Sequence, residues 1–393
     1  MVNKNIIKKF TAAGFFALAS FLVLWQMLLP GYILTLDMVF TPKIKIFIGQ
    51  DLIYNTLPVK YFLQLVNFIL PGWVIQKIVL FLLFFLIGWL GYLFIPTAKK
   101  LGANYWAGIF LMANPFVYER FLAGHWMHLM AYSFLAPFSF FAIKLSKSPN
   151  LKNTFGLAVC LILIGLFSLH FLVMALILAL FYYFAVIANF IFKKRYFELK
   201  KLISYLALVG FILFLASSYW LIPYFSNLQK MPASNFSEAD WSTFKTAGDL
   251  QFGTTINILG LYGFWGEYQP WANYFLWPKA NLGWLVILAI ILLLSGVGIY
   301  SNCKNKKFKE LSFFLIAGII GFIFSAGVGD TIFKSFNIFI FDNVWFWSGF
   351  RDSQKWTGLL AISYAYFASI GVYRILKYLA GLLKVEPKNL LDI

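Results

Sequence analysis

Long apolar runs separated by short polar stretches fill the chain, and this pattern predicts membrane-spanning helices. A span needs about 20 mostly apolar residues. The apolar stretch at 155–192 is too long for one span, so it is split into a hairpin that turns near His170. The other predicted spans lie at 10–29, 73–95, 105–118, 129–145, 202–221, 282–300, 311–328 and 357–379. The predicted fold class is an all-α polytopic membrane protein with about 10 transmembrane helices.

Three longer polar segments are predicted to be loops on the outer side of the membrane, at 31–71, 223–281 and 329–356. Within the first, residues 59–70 have apolar positions at helical spacing with Lys60 and Gln64 between them. This pattern predicts a helix lying on the membrane surface, and a short span is the alternative. No separate soluble domain is indicated, so residues 1–393 are predicted to form a single integral membrane domain.

Composition and charge agree with this class of protein. The chain is 62% apolar and 12% charged, and a soluble protein of this length has too little interior for so many apolar side chains. The net charge of +18 comes from small Lys and Arg clusters between apolar runs, which predicts membrane orientation and no nucleic-acid partner. With the N-terminus inside, inner loops hold about 21 of the 32 Lys and Arg. We therefore expect a multi-pass protein of the plasma membrane with both termini cytoplasmic.

The carboxylates have the opposite distribution. About ten of the 14 Asp and Glu fall on the predicted outer side. Acidic residues contribute little to membrane topology, so their placement indicates that the working face is the outer one. These outer carboxylates are Asp37, Asp51, Glu119, Glu238, Asp240, Asp249, Glu267, Asp330, Asp342 and Asp352.

Asp37 is the first candidate for chemistry, because it lies where the chain first leaves the membrane. A carboxylate at this position is suited to act as a general base toward a hydroxyl group, or as a ligand for Mg²⁺ or Mn²⁺. The alternative is a solvated loop residue or helix cap. Composition and motifs indicate no other cofactor.

Arg351 and Lys355 form the second candidate, just before the last span. If Arg351 begins the final helix, Lys355 lies one turn further on the same face. Two cations on one face could clamp a phosphate group, with the Arg side chain offering a bidentate fork. The alternative role is anchoring to lipid headgroups.

Asn114 and Pro115 are predicted to break the last turn of the span at 105–118, and a third polar cluster follows this break. Glu119 and Arg120 are sequence neighbours, so they point to different sides of a helix and need separate partners. His125 and His128 are three residues apart, but the pattern lacks the cysteines or second ligand pair typical of zinc sites. A polar turn between two spans is the alternative. His170 is expected to be structural.

Taken together, these stretches resemble those of the GT-C superfamily of polytopic glycosyltransferases. The resemblance rests on the layout, with Asp37 in the first outer loop, and on two short segments. These are NPFVYER from Asn114 to Arg120 and FRDSQKW from Phe350 to Trp356, which are similar to segments of uncharacterised bacterial members and of the YfhO-like group.

The resemblance implies transfer of a sugar from a polyprenyl-phosphate donor to a glycan, lipid or protein acceptor on the outer face. Asp37 would act as the base or hold a metal. Arg351 and Lys355, with help from Arg120, would neutralise the departing phosphate, and Glu119 and His125 would lie in the same binding site. This arrangement requires the first and last outer loops to meet in space.

Other classes of protein stay open on the sequence alone. A lipid or sugar transporter or flippase would place ionisable groups near the bilayer centre, where the predicted spans are almost free of charge. A non-catalytic membrane assembly subunit needs no active site. An O-antigen polymerase or ligase would carry its essential cations in the long outer loop, which here contains only Lys230, Lys245 and Lys279.

Overall fold

The computed structural model describes residues 4–46, 54–97, 102–226, 238–270, 272 and 283–382. Within these ranges all regular elements are helical, and Asp249 and Gly253 form one isolated β-bridge. The α-helices are α1 (Lys4–Leu24), α2 (Leu57–Asn67), α3 (Gly72–Phe94), α4 (Ala103–Met112), α5 (Pro115–Leu122), α6 (Trp126–Ser133), α7 (Leu135–Lys147), α8 (Leu151–Phe167), α9 (Leu169–Phe192), α10 (Tyr196–Ser226), α11 (Glu238–Thr243), α12 (Gly253–Leu259), α13 (Gly283–Lys304), α14 (Phe308–Ser325), α15 (Lys334–Asn343) and α16 (Thr357–Leu382).

Eight segments of the described chain are long and apolar enough to cross a membrane. They are Ile7–Leu28, Gly72–Phe94, Trp126–Lys147, Leu169–Phe192, Tyr196–Ser226, Gly283–Lys304, Phe308–Ser325 and Ser353–Leu382. Two further predicted spans correspond to shorter helices. The 17 residues of α8 rise about 26 Å, slightly less than the hydrocarbon core of a bilayer. The segment predicted at 105–118 is divided between α4 and α5.

Helix α16 lies at the centre of the bundle. All residues from Thr357 to Gly371 are buried, so this part of the helix is covered on every side. Its closest neighbour is α13, where Gly298 and Gly371 allow backbone contact. A Cβ at Gly298 would lie 2.0 Å from the carbonyl oxygen of Phe367, and one at Gly371 would lie 2.1 Å from that of Leu294. Small residues at such crossings let membrane helices pack closely.

The predicted helix breaks are found where polar residues compete for backbone groups. The Asn114 side chain accepts a hydrogen bond from the amide of Val117 (3.2 Å) and caps α5, with Pro115 as its first residue. The predicted hairpin near His170 turns at Ser168, which ends α8 and caps α9. Both breaks were therefore predicted to within two residues.

The long loop begins later than predicted. Helix α10 continues through Pro223 to Ser226, although Pro223 has no N–H to donate to the carbonyl oxygen of Tyr219. Residues 227–237 and most of 271–282 lie outside the described residues, including Trp271 and Tyr274. The described part carries the short helices α11 and α12.

The first loop is attached to the bundle by amide side chains. Gln76 of α3 accepts a hydrogen bond from the amide of Ile33 (2.8 Å) and donates one to its carbonyl oxygen (2.7 Å). Asn67 accepts a hydrogen bond from the amide of Ile44 (2.8 Å). Helix α2 covers most of the helix predicted at 59–70, and its 11 residues are too few to span a bilayer; it exposes Phe62 and Leu65.

Candidate functional site

The site lies at the end of the bundle where the spans Trp126–Lys147, Leu169–Phe192 and Ser353–Leu382 begin, which we call the site end. Helix α5 leads into the site. Two residues after its last residue, Gly124 turns the backbone with a φ of +82°, in the left-handed region. The amide of Gly124 donates to the Phe121 carbonyl (3.0 Å) and that of His125 to the Arg120 carbonyl (2.9 Å). This paired bonding is a common helix end and turns His125 back beside Arg120.

Gly124 also receives the first loop. The amide of Asp37 donates to the carbonyl of Ala123 (3.0 Å). A Cβ at Gly124 would lie 2.3 Å from the amide nitrogen of Met38 and 2.8 Å from that of Asp37. Only glycine permits both this backbone conformation and this approach, so Gly124 determines where Asp37 sits.

A hydrogen-bonded chain runs inward from Asp37. Nε2 of His125 lies 2.8 Å from Oδ2 of Asp37, and Nη1 of Arg120 lies 3.2 Å from Nδ1 of His125. A guanidinium can only donate, so Nδ1 is the acceptor and neutral His125 carries its hydrogen on Nε2. Nε2–H therefore donates to the Asp37 carboxylate, and Arg120 determines the tautomer.

Arg120 is fully buried and paired with Asp352 of the last loop. Its two terminal nitrogens donate to the two carboxylate oxygens of Asp352 at 2.5 and 2.9 Å. Arg120 also donates to Oε1 of Gln354, whose Nε2 donates to Glu119 (3.2 Å). Gln354 thus contacts both neighbouring side chains, so the expectation that Glu119 and Arg120 need separate partners was only partly correct: Asp352 pairs with Arg120, but Gln354 is shared. Through Arg120 and His125 the first and last loops meet, as the sequence analysis required.

Lys355 lies beside this chain. Its Nζ is 3.8 Å from Oδ2 of Asp352 and 3.3 Å from Nε2 of His170. Nε2 of His170 is also 2.8 Å from the carbonyl oxygen of Gly349, which can only accept, so this nitrogen carries the ring hydrogen. The Lys355 cation is therefore balanced by Asp352, while His170 connects α9 with the last loop.

The long loop covers the buried charges. The Phe264 ring lies 5.0 Å from the guanidinium carbon of Arg120, and the Phe264 amide donates to Glu119 (3.3 Å). Glu267 is fully buried and accepts a hydrogen bond from Asn257 (3.1 Å). Tyr262 is buried as well. Tyr262, Phe264 and Glu267 therefore contribute to the packing of this loop against the buried charges.

The pKa values of the hydrogen-bonded side chains depend on burial and on their charged neighbours. The hydrogen bond from His125 lowers the pKa of Asp37, and nearby Lys355 acts in the same direction. Burial lowers the pKa of His125, assisted by the charge of Arg120. Burial alone would raise the pKa of Asp352, but Arg120 and Lys355 outweigh it and the pKa is lowered. At neutral pH the hydrogen-bonded side chains are therefore ionised Asp37, neutral His125, cationic Arg120 and ionised Asp352.

Exposure separates the residues that a substrate can touch from those that it cannot. The side chain of Asp37 is 57% exposed, that of His125 18% and that of Lys355 15%. Glu119 and Arg120 have no exposed surface. In the hydrogen-bonded series from Asp37 to Asp352, Asp37 is thus accessible to a substrate and the residues behind His125 are buried.

Arg351 is placed differently from the expectation. The final α-helix begins at Thr357, and Arg351 lies between two short 3₁₀ turns, so the two cations do not occupy successive turns of one α-helix. The guanidinium carbon of Arg351 is 4.7 Å from the centre of the Phe244 ring. The prediction of a shared helical face was wrong, because the turns at Trp347–Phe350 and Ser353–Trp356 delay the helix.

Sequence reasoning did not select three residues of the network: Asp352, Gln354 and His170. Asp352 and Gln354 lie inside the FRDSQKW segment, where only the cations were chosen. A buried Arg at position 120 requires a carboxylate partner, and this requirement was the available signal. His170 had no local signal, because its contacts are with Gly349 and Lys355, far along the chain.

The residues around Asp37 do not form a metal site by themselves. Within the described ranges no three His, Cys, Asp or Glu side chains converge to hold a metal ion. One oxygen of Asp37 is occupied by His125, and Asp352 is occupied by Arg120. A Mg²⁺ or Mn²⁺ ion would have to take most of its ligands from water and substrate.

No family model, curated protein or solved structure matches this chain. The resemblance to the GT-C superfamily therefore rests on the layout and on the two short segments. Those segments supply most of the network, since Glu119 and Arg120 come from the first, and Asp352, Gln354 and Lys355 from the second.

Proposed function

We propose that the network at the site end is the active site of a membrane glycosyltransferase that uses a polyprenyl-phosphate sugar on the outer face. The observation that carries this proposal is the chain from Asp37 through His125 and Arg120 to Asp352. It presents one ionised carboxylate to the surface and fixes its orientation from behind, as a general base requires.

The surroundings of Asp37 support a lipid-linked substrate. Its loop exposes Leu34 (72%), Leu36 and Val39 (70%), and the nearby α2 exposes Phe62 and Leu65. In a membrane protein such apolar surface suits contact with acyl or prenyl chains. A donor confined to the membrane would therefore approach Asp37 from the side.

The proposed reaction is a direct displacement at the anomeric carbon. Asp37 takes the proton of the acceptor hydroxyl, whose oxygen attacks the anomeric carbon. The bond between this carbon and the phosphate oxygen breaks, and the polyprenyl phosphate leaves with the bonding electrons. Because no protein nucleophile takes part, the configuration of the sugar is inverted.

The cations have two different roles in this proposal. Lys355 and Arg351 are the candidates to contact the leaving phosphate, since both retain exposed surface. Stabilisation of developing charge by fixed groups is generally a large part of catalysis. Arg120, Glu119 and Asp352 are positioning residues, because their burial keeps them from the substrate.

The experiment measures transfer from a panel of radiolabelled polyprenyl-phosphate sugars by the purified full-length protein. Arg351→Ala should raise KM or lower kcat by about tenfold or more, because it removes one cation from the leaving phosphate. Lys334→Ala is the control, as Lys334 is an exposed cation of the same end paired with Asp330. Absence of turnover with every donor, or equal turnover in all three proteins, would contradict the proposal.

The transport alternative receives less support. Transport coupled to ions generally uses ionisable groups near the middle of the bilayer. The buried Arg120–Asp352 pair and Lys355 lie at the site end. No observation favours a purely structural role for a half-exposed carboxylate held in this way.

A further inference from the structure

A second charged region lies at the opposite end of the bundle. The span Trp126–Lys147 begins beside His125 and ends at a cavity of 490 Å³, so this cavity is one membrane span away from the site. It is open to one side and is lined by the ends of α7 and α9, the loops after α9 and α13, and the beginning of α14. We call it the basic cavity; its charged lining is Lys147, Lys193, Arg195, Lys306, Lys307, Lys309 and Glu310.

The positive charge of the basic cavity is only partly balanced. Glu310 is paired with Lys147, and Arg195 is paired with Glu198 (2.7 Å). None of the ion pairs among the described residues includes Lys193, Lys306 or Lys307. These three exposed cations line the cavity, and no carboxylate in the described part of the chain forms an ion pair with them.

Two lysines near the cavity have a left-handed backbone conformation, which glycine adopts more readily. Helices α9 and α13 both end in the same paired hydrogen bonds that end α5 at Gly124. In these two helices, however, Lys194 (φ 54°) and Lys306 (φ 51°) occupy the left-handed position. A side chain is disfavoured in this conformation. The turns fold Arg195 and Lys307 back toward the cavity, so both loops present cations to the same space.

The cavity also has an apolar wall. The Phe190 ring lies 5.3 Å from Nζ of Lys309 and 5.3 Å from the guanidinium carbon of Arg195. Phe192 and Phe197, which are within two residues of the lining residues Lys193 and Arg195 in the sequence, are 86% and 80% exposed. A smaller cavity of 260 Å³ lies on the first turns of α10, which follow Arg195 in the chain, and is lined by Tyr196, Leu199, Lys200, Ile203 and Ser204.

From this combination we propose that the basic cavity binds the phosphate headgroup of an anionic phospholipid. A cavity of this size is large enough for a headgroup with its glycerol. Clustered Lys and Arg at the ends of membrane helices favour anionic lipid phosphates. The exposed aromatic residues and the smaller cavity on α10 suit the acyl chains, which distinguishes a lipid from a soluble phosphate. The inference does not depend on the reaction at the site end.

The test uses the full-length protein in detergent and native mass spectrometry with phosphatidylglycerol, phosphatidylcholine or inorganic phosphate. The cavity variant is Lys193→Gln/Lys306→Gln/Lys307→Gln. The control variant, Lys152→Gln/Lys201→Gln/Lys377→Gln, removes the same charge from exposed positions outside the cavity. All six positions are exposed, so both proteins should fold.

We expect wild type and control to retain phosphatidylglycerol in preference to phosphatidylcholine, and the cavity variant to bind it at least about tenfold more weakly. Equal weakening in both variants would show a general surface-charge effect and overturn the proposal. The absence of a preference over phosphatidylcholine would also overturn it. So would inorganic phosphate that competes at the same concentration as the lipid, because the ligand would then be a soluble anion.

Discussion

Asp37 gains its proposed role from two neighbours that act on it in different ways. His125 donates a hydrogen bond to its carboxylate, and Gly124 allows its backbone to approach α5. The first contact determines the orientation of the side chain, and the second the position of the residue. Each can be altered separately, so the two contributions can be measured.

Replacing Gly124 by Ala should displace Asp37. The added Cβ would collide with the backbone of Asp37 and Met38, and a shift of about 1 Å at a catalytic group can lower turnover by about 10²-fold. We expect kcat/KM for glycosyl transfer to fall by roughly that factor.

Gly31→Ala is the matched control, since Gly31 also has positive φ (+108°) but no neighbouring atom within 4 Å of a Cβ. It shares the backbone strain without the collision. Equal losses of kcat/KM in the two variants would mean that backbone strain alone, and not a displacement of Asp37, explains the effect.

At the scale of elements, the Arg120–Asp352 pair joins α5 to the last loop. Both side chains are buried, and the two residues are 232 positions apart in sequence. The pair therefore joins two distant segments of the chain that form the site. Gln354 strengthens this link by reaching Glu119 on the same short helix.

Asp352→Asn should leave the Arg120 cation buried without a countercharge. Removing one partner of a buried ion pair destabilises proteins by about 3–5 kcal/mol. We expect a loss of free energy of unfolding in this range, measured by denaturant titration in mixed micelles. Asp342→Asn, at an exposed position of α15, should change it by less than about 0.5 kcal/mol. Similar values for both variants would rule out the proposed role of the pair.

At the scale of the whole molecule, the two ends of the bundle differ in the charge they expose. The site end presents a carboxylate backed by a buried network, and the other end presents unbalanced lysines. The apolar spans between them separate the two regions. The melting temperature should depend on pH through His125, the titratable group of the network at the site end.

Because burial lowers the pKa of His125, the folded protein binds this proton more weakly than the unfolded chain. The stabilisation is fully present above the unfolded value of about 6.5 and is lost as the pH falls below it. The melting temperature should therefore be constant between about pH 7 and 8 and decrease toward pH 5.

In His125→Gln the dependence of melting temperature on pH should be weaker. The other two histidines are present in both proteins, so the difference between the two curves isolates His125. Identical slopes for wild type and variant between about pH 5 and 7 would contradict the assignment of a neutral, buried His125.

Local features of the fold were predictable from sequence, and pairings across space were not. The helix breaks at Asn114 and Ser168 and the start of α16 follow from capping residues and apolar length. Asp352 could not be matched with Arg120, because the match depends on how α5 packs beside the last loop. The contacts of His170 with Gly349 and Lys355 could not be predicted either, because they depend on how α9 packs beside the last loop.

The central claim is that Asp37 is the base for transfer from a lipid-linked sugar. The most direct test compares wild type with Asp37→Asn in transfer of a radiolabelled sugar from polyprenyl phosphate at saturating donor. Asparagine retains an acceptor for His125 but cannot take a proton, so turnover should fall by about 10²–10⁴-fold. Asp330→Asn, at another exposed carboxylate near the site end, should retain wild-type turnover. Full turnover by Asp37→Asn would contradict the account.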